Sequence, residues 1–125
     1  MENEKNQIKT FRNLVAWQKA KELAKEVYLS TMNMPDHERF GLTSQMRRAA
    51  VSIPSNIAEG HGRGSLADYL RFLRTARGSL MELQTQLILT EELGYLKITP
   101  KLTSLQAETD RVLQGLIRSL ENWKG

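Results

Sequence analysis

Seven arginines, Arg39, Arg47, Arg48, Arg63, Arg71, Arg74 and Arg77, lie between Asp36 and Gly78, with only four acids among them: Asp36, Glu38, Glu59 and Asp68. A guanidinium is a flat fork of N–H donors that suits phosphate oxygens and suits carboxylates within a protein equally well. Polyanion binding and ion pairing are therefore the two chemistries open to this stretch. Other chemistries lack their parts. The only histidines, His37 and His61, fall in predicted loops, and no Glu-x-x-His is present for a di-metal carboxylate site. Nothing in the spacing brings Ser, His and Asp together as a triad. The run Gly60-His61-Gly62-Arg63-Gly64 lacks the Lys-Ser/Thr of a phosphate loop and follows no strand. No catalytic residue, metal ligand or cofactor is expected, and the chain reads as a non-enzyme.

The arginines need helices to position them. In Phe40–Gly60 the apolar residues Leu42, Met46, Ala49, Ala50, Ile53 and Ile57 recur at three- and four-residue steps, which is one face of a helix. A second stripe of Gln45, Arg48, Ser52, Asn56 and Glu59 runs beside it. Pro54 falls inside this helix and removes one backbone bond, which Ser52 or Ser55 could help to replace. The spacing predicts four helices, at about 14–32, 42–59, 66–93 and 100–122. Asn13 is the expected N-cap of the first, Ser65 with Asp68 caps the third, and Thr99-Pro100 opens the fourth as N-cap and N1. Three glycines in Gly60–Gly64 are expected to supply left-handed caps and a turn, and Gly94 to close the third helix. Gly78 interrupts that helix, at a cost of about 1 kcal/mol relative to alanine, which a second backbone nearby would justify. Residues 1–12 form a polar tail that Ile8 and Phe11 could pin to the body. Short connections between four amphipathic helices imply an all-α, antiparallel up-down-up-down four-helix bundle over residues 13–125.

Composition agrees with that class. Aromatics are 6% and prolines three, which favours helix. There is no cysteine, so no disulfide framework or thiolate site, and a reducing compartment fits. No apolar run approaches the ~18 residues of a membrane span, and the first residues lack a signal peptide's apolar core. The expectation is a cytoplasmic protein without membrane contact. A net charge of +4 and a pI near 9.6 make an anionic partner natural, although mild charge also serves solubility.

At ~100° per residue Arg77 falls near the middle of the third helix's apolar seam, where an arginine needs a partner. Glu59 is the preferred one, with Asn56 able to join. Arg48, Asn56, Glu59 and Arg77 are thus expected in an internal or inter-subunit polar network. Arg71 and Arg74 lie off the seam and are freer to meet phosphate, and for Arg47, Arg63, Arg71 and Arg74 phosphate contact and plain solvation are both open.

The stretches Gln45–Gly60, Gly62-Arg63 and Asp68–Leu83 carry a resemblance. The chain resembles the bacterial four-helix bundle protein family found with intervening sequences in 23S ribosomal RNA genes, from Phe11 to the last helix. That family is similar to the accessory variability protein of diversity-generating retroelements. The resemblance implies a homopentameric barrel of bundles with a basic surface, contacting RNA or DNA and, in the retroelement relatives, a reverse transcriptase. Arg47, Arg48, Arg63, Arg71, Arg74 and Arg77 match its basic positions, and Asn56, Glu59, Gly60 and Glu82 its signature residues. Five copies of +4 would total +20. The expected function is arginine-mediated, largely sequence-independent binding of nucleic acid backbone. The alternative is a scaffold that docks a protein partner such as a reverse transcriptase. A helix-turn-helix regulator ranks last, because the helices flanking the Gly60–Gly64 turn are too long for that compact unit.

Overall fold

The computed structural model describes residues 10–123, so the expected anchoring by Ile8 lies outside the described residues. Four long helices form: α1 (Val15–Ser30), α2 (Leu42–His61), α3 (Leu66–Glu92) and α4 (Pro100–Glu121). Single 3-10 turns occur at Phe11–Asn13 and Asp36–Glu38, and there is no strand among the described residues. Each helix has two close neighbours, in the order α1–α2–α3–α4 and back to α1, and no diagonal pair of backbones comes as close.

The direction of each helix can be read from its cross-links. Thr90 meets Met46, Ser79 meets Ser52, and Phe72 lies against Gly60, so residue numbers fall on α3 as they rise on α2. Lys19 pairs with Glu108 at 3.1 Å and Glu26 with Lys101 at 3.5 Å, which sets α1 antiparallel to α4 in the same way. The result is an antiparallel four-helix bundle.

Its core follows from the periodic apolar positions. Leu23, Val27, Met46, Ile53, Ile57, Leu73, Leu80, Leu83, Leu87, Leu102 and Leu113 are all fully buried. Each such side chain contributes about 1.5–3 kcal/mol on burial. Alanines at 16, 20, 24, 49, 50 and 76 lie between them and let the helices approach closely.

The helix ends explain where the chain turns. Ser65 Oγ accepts from the Asp68 N–H at 3.1 Å and Thr99 Oγ1 from the Leu102 N–H at 3.1 Å, as N-caps do. Gly94, at φ 79°, is the only described residue with clearly positive φ. Its N–H reaches the Glu91 carbonyl, and the Tyr95 N–H reaches that of Thr90, which is a Schellman stop.

Three expectations need correction. Asn13 does not cap α1; its side chain accepts from Thr10, and Leu14 holds the cap position without a side-chain bond. None of Gly60, Gly62 and Gly64 is left-handed. Gly60 instead lies inside α2, where an added Cβ would come within 2.7 Å of Phe72 Cβ and 3.2 Å of Tyr69 Cδ1. Neither Ser52 nor Ser55 bonds the carbonyl freed by Pro54 among the described residues; the Ser52 hydroxyl bonds that of Ser79 at 2.8 Å and accepts from Asn56 at 2.9 Å.

Gly60→Ala should therefore lower stability by about 1–3 kcal/mol through overpacking. No second backbone lies near Gly78, contrary to expectation, since an added Cβ meets nothing within 4 Å, and this position should gain about 1 kcal/mol as alanine. Urea unfolding of both variants checks the pair, and an unchanged midpoint for Gly60→Ala would refute the close contact.

Candidate nucleic-acid interface

At the end of the bundle where α2 hands over to α3, Gly60 brings the two backbones close enough for Phe72 to lie over the turn. The Arg63 and Arg71 guanidiniums lie 4.9 and 4.5 Å from the Phe72 ring centre, so one ring carries two cations. Each also meets an acid: Arg63 reaches Glu59 at 3.4 Å and Arg71 reaches Asp68 at 3.4 Å. One turn further along α3, Arg74 pairs with Glu121 of α4 at 2.6 Å. All three arginine side chains are exposed, and such pairs contribute at most about 1 kcal/mol. A phosphate can displace the carboxylates cheaply. The same end holds Tyr69, whose phenol is pushed above its ordinary pKa by burial and whose ring meets His61 edge-on at 5.8 Å.

The expected polar network does not assemble within one chain. Arg77 donates from Nε to Asp110 of α4 at 3.0 Å rather than to Glu59. Its place on the helical wheel faces α4, and Glu59 lies on the exposed side of α2 beside Arg63. Gln114 donates to the other oxygen of Asp110 at 2.9 Å and steadies it. Asn56 donates to the Ser52 carbonyl and hydroxyl, and Glu82 accepts from Gln86 at 3.4 Å.

Arg47 and Arg48 exchange roles. Arg47, expected to be free, donates from Nε to Thr31 Oγ1 at 3.0 Å and from Nη2 to the Thr31 carbonyl at 3.5 Å. Its guanidinium also stacks 4.7 Å from the Tyr28 ring. A cation held at the last carbonyls of α1 is well placed for the helix dipole. Arg48, expected in an internal or inter-subunit network, is exposed and has no hydrogen bond or ion pair among the described residues, so the internal form of that expectation is not met.

Residues 12–118 match the family model described as 23S rRNA-intervening sequence protein. The chain belongs to that family. No curated protein matches it. In this member of the family, no helix among the described residues is long and apolar enough to cross a membrane.

Sequence reasoning missed Asp110 and Glu121 as arginine partners, Ser79 as the partner of Ser52, and the Phe72 ring. The signal for Phe72 was available, since an aromatic between Arg71 and Arg74 within eleven residues of Arg63 invites stacking. The role exchange predicts that Arg47→Ala costs about 1–2 kcal/mol, from the lost packing and charge-assisted bonds, while Arg48→Ala stays within about 0.5 kcal/mol. Thermal melts of the two variants separate them, and equal losses would contradict the assignment.

Proposed function

We propose that this family member is a non-enzymatic, pentameric ring of helical bundles that holds RNA or DNA by its backbone, without reading base sequence. The observation that carries the reading is the exposed arginine group around Phe72. Arg63, Arg71 and Arg74 converge at one end of the bundle and are each held by a single solvent-exposed acid. One such group is weak, and a ring presents it five times to the same strand.

The support for self-association is a second surface. Between α1 and α2, Ala24, Tyr28, Leu29, Val51 and Pro54 wall an apolar groove of about 400 Å³, edged by the stems of Lys21 and Lys25. Leu29 is 60% exposed and nearby Met32 69%, more than a solitary helical bundle needs to leave in water. A second copy covering that groove would remove the exposure. The same groove favours the second reading, a scaffold docking a protein partner, which salt-insensitive capture of that partner would distinguish.

Light scattering should give five times the chain mass, and Leu29→Glu with Val51→Glu should reduce it to one. Arg71→Glu with Arg74→Glu should weaken polynucleotide binding by about tenfold or more in a filter assay and leave the assembly intact. Wild-type affinity should fall steeply between ~50 and ~200 mM salt. Unaltered binding by the double arginine variant would remove this surface from the function.

A further inference from the structure

The opposite end of the bundle, where Asp36–Phe40 leads into α2, carries a different kind of basic site. Arg39, Arg47 and Arg48 line a hollow of about 390 Å³ together with Tyr28, Phe40, Thr43 and Ser44, and no acid is among its lining residues. The contrast with Arg63, Arg71, Arg74 and Arg77 is direct, because each of those faces a carboxylate. Arg39 stacks 5.4 Å from the Phe40 ring and, like Arg48, forms no ion pair among the described residues. Arg47 is steadied through Nε and Nη2 by Thr31, which leaves its remaining N–H groups for a ligand.

Two further observations point to an occupant. Thr43 is 7% exposed and borders the hollow, and its hydroxyl is buried with no hydrogen-bond partner among the described residues. Such an orphan is costly unless something bonds it. Phe40 is 88% exposed beside the three cations, an arrangement in which a flat π-surface can stack. Two acids stand near the hollow without lining it. Glu38 Oε1 accepts from the Leu42 N–H at 2.9 Å and so closes the α2 terminus itself, and Asp36 borders a smaller neighbouring hollow with Arg39, Arg47 and Thr43.

We propose that the Arg39–Arg47–Arg48 hollow holds a phosphate group of a single-stranded polynucleotide, with the adjoining base stacked on Phe40. This rests on the nucleic-acid reading above and gives it a second, better-defined contact on each protomer. Three guanidiniums match the three-sided charge of a phosphate, and a change of rotamer at Thr43 would turn its buried hydroxyl toward that phosphate.

The test uses the full chain and a labelled single-stranded oligonucleotide, read by fluorescence anisotropy at low salt. Arg39→Gln and Arg48→Gln should each weaken binding about tenfold and lower the salt slope by about one. Phe40→Ala should weaken single-stranded binding about tenfold and duplex binding little. Thr43→Val should raise the melting temperature, because it removes an unbonded buried hydroxyl, while weakening binding roughly fivefold. Pyrophosphate should compete with the wild type and lose that effect in Arg48→Gln. If these variants bind as the wild type does, with wild-type binding still salt-dependent, the hollow is not a contact and the arginines around Phe72 alone carry the function. Wild-type protein that ignores every polynucleotide at low salt, or that binds only anionic vesicles, overturns both proposals.

Discussion

The approach of α2 to α3 at Gly60 is the constraint that fixes the rest. No side chain separates the α2 backbone from Phe72 and Tyr69 there, so the two helices meet in one register. From that point outward, Ser52 comes opposite Ser79 and Met46 opposite Thr90. Shifting α3 by one residue would rotate its side chains by ~100° and take Leu73, Leu80 and Leu87 out of the core. The contact also places the Phe72 ring where Arg63 and Arg71 can both reach it. Packing therefore decides where the charge is displayed.

The limits of each helix were largely legible because caps are local chemistry. Ser65, Thr99-Pro100 and Gly94 act within a few residues of themselves, and the structure uses each as the sequence implies. The glycine run was misread because the role of Gly60 depends on residues 9 and 12 positions further on, brought back by a turn whose path no local rule specifies. Asn13 failed as a cap for a related reason: its side-chain oxygen had Thr10 to accept from, and the chain enters α1 through a 3-10 turn.

The polar residues were legible as a population and not as pairs. A helical wheel gives the direction in which Arg77 points, but not which neighbour lies that way. In the closed ring α3 touches both α2 and α4, and only the side facing α4 offers an acid, Asp110. Arg47 and Arg48 differ by one step along α2. That step turns one toward the end of α1 and the other toward water, and a small error in the assumed phase exchanges them.

The two basic ends differ in a way that matters for a chain of only modest charge. Around Phe72 the arginines have acids beside them, which hold the guanidiniums in a narrow set of rotamers and reduce the entropy lost on binding. The same acids lower the field, so a single phosphate gains little by displacing one. In the proposed ring, a strand offering many phosphates to repeated copies would gain at every copy, and selectivity for a polymer over a small anion would follow from that arithmetic. At the α2 entrance no acid lines the hollow itself, Asp36 standing in the adjoining one, and a buried hydroxyl lacks a partner among the described residues. Chemistry of that kind favours one anion bound closely over many bound loosely. On the proposed reading a strand would be gripped at one end of each protomer and screened at the other, so net charge alone understates what this bundle can hold.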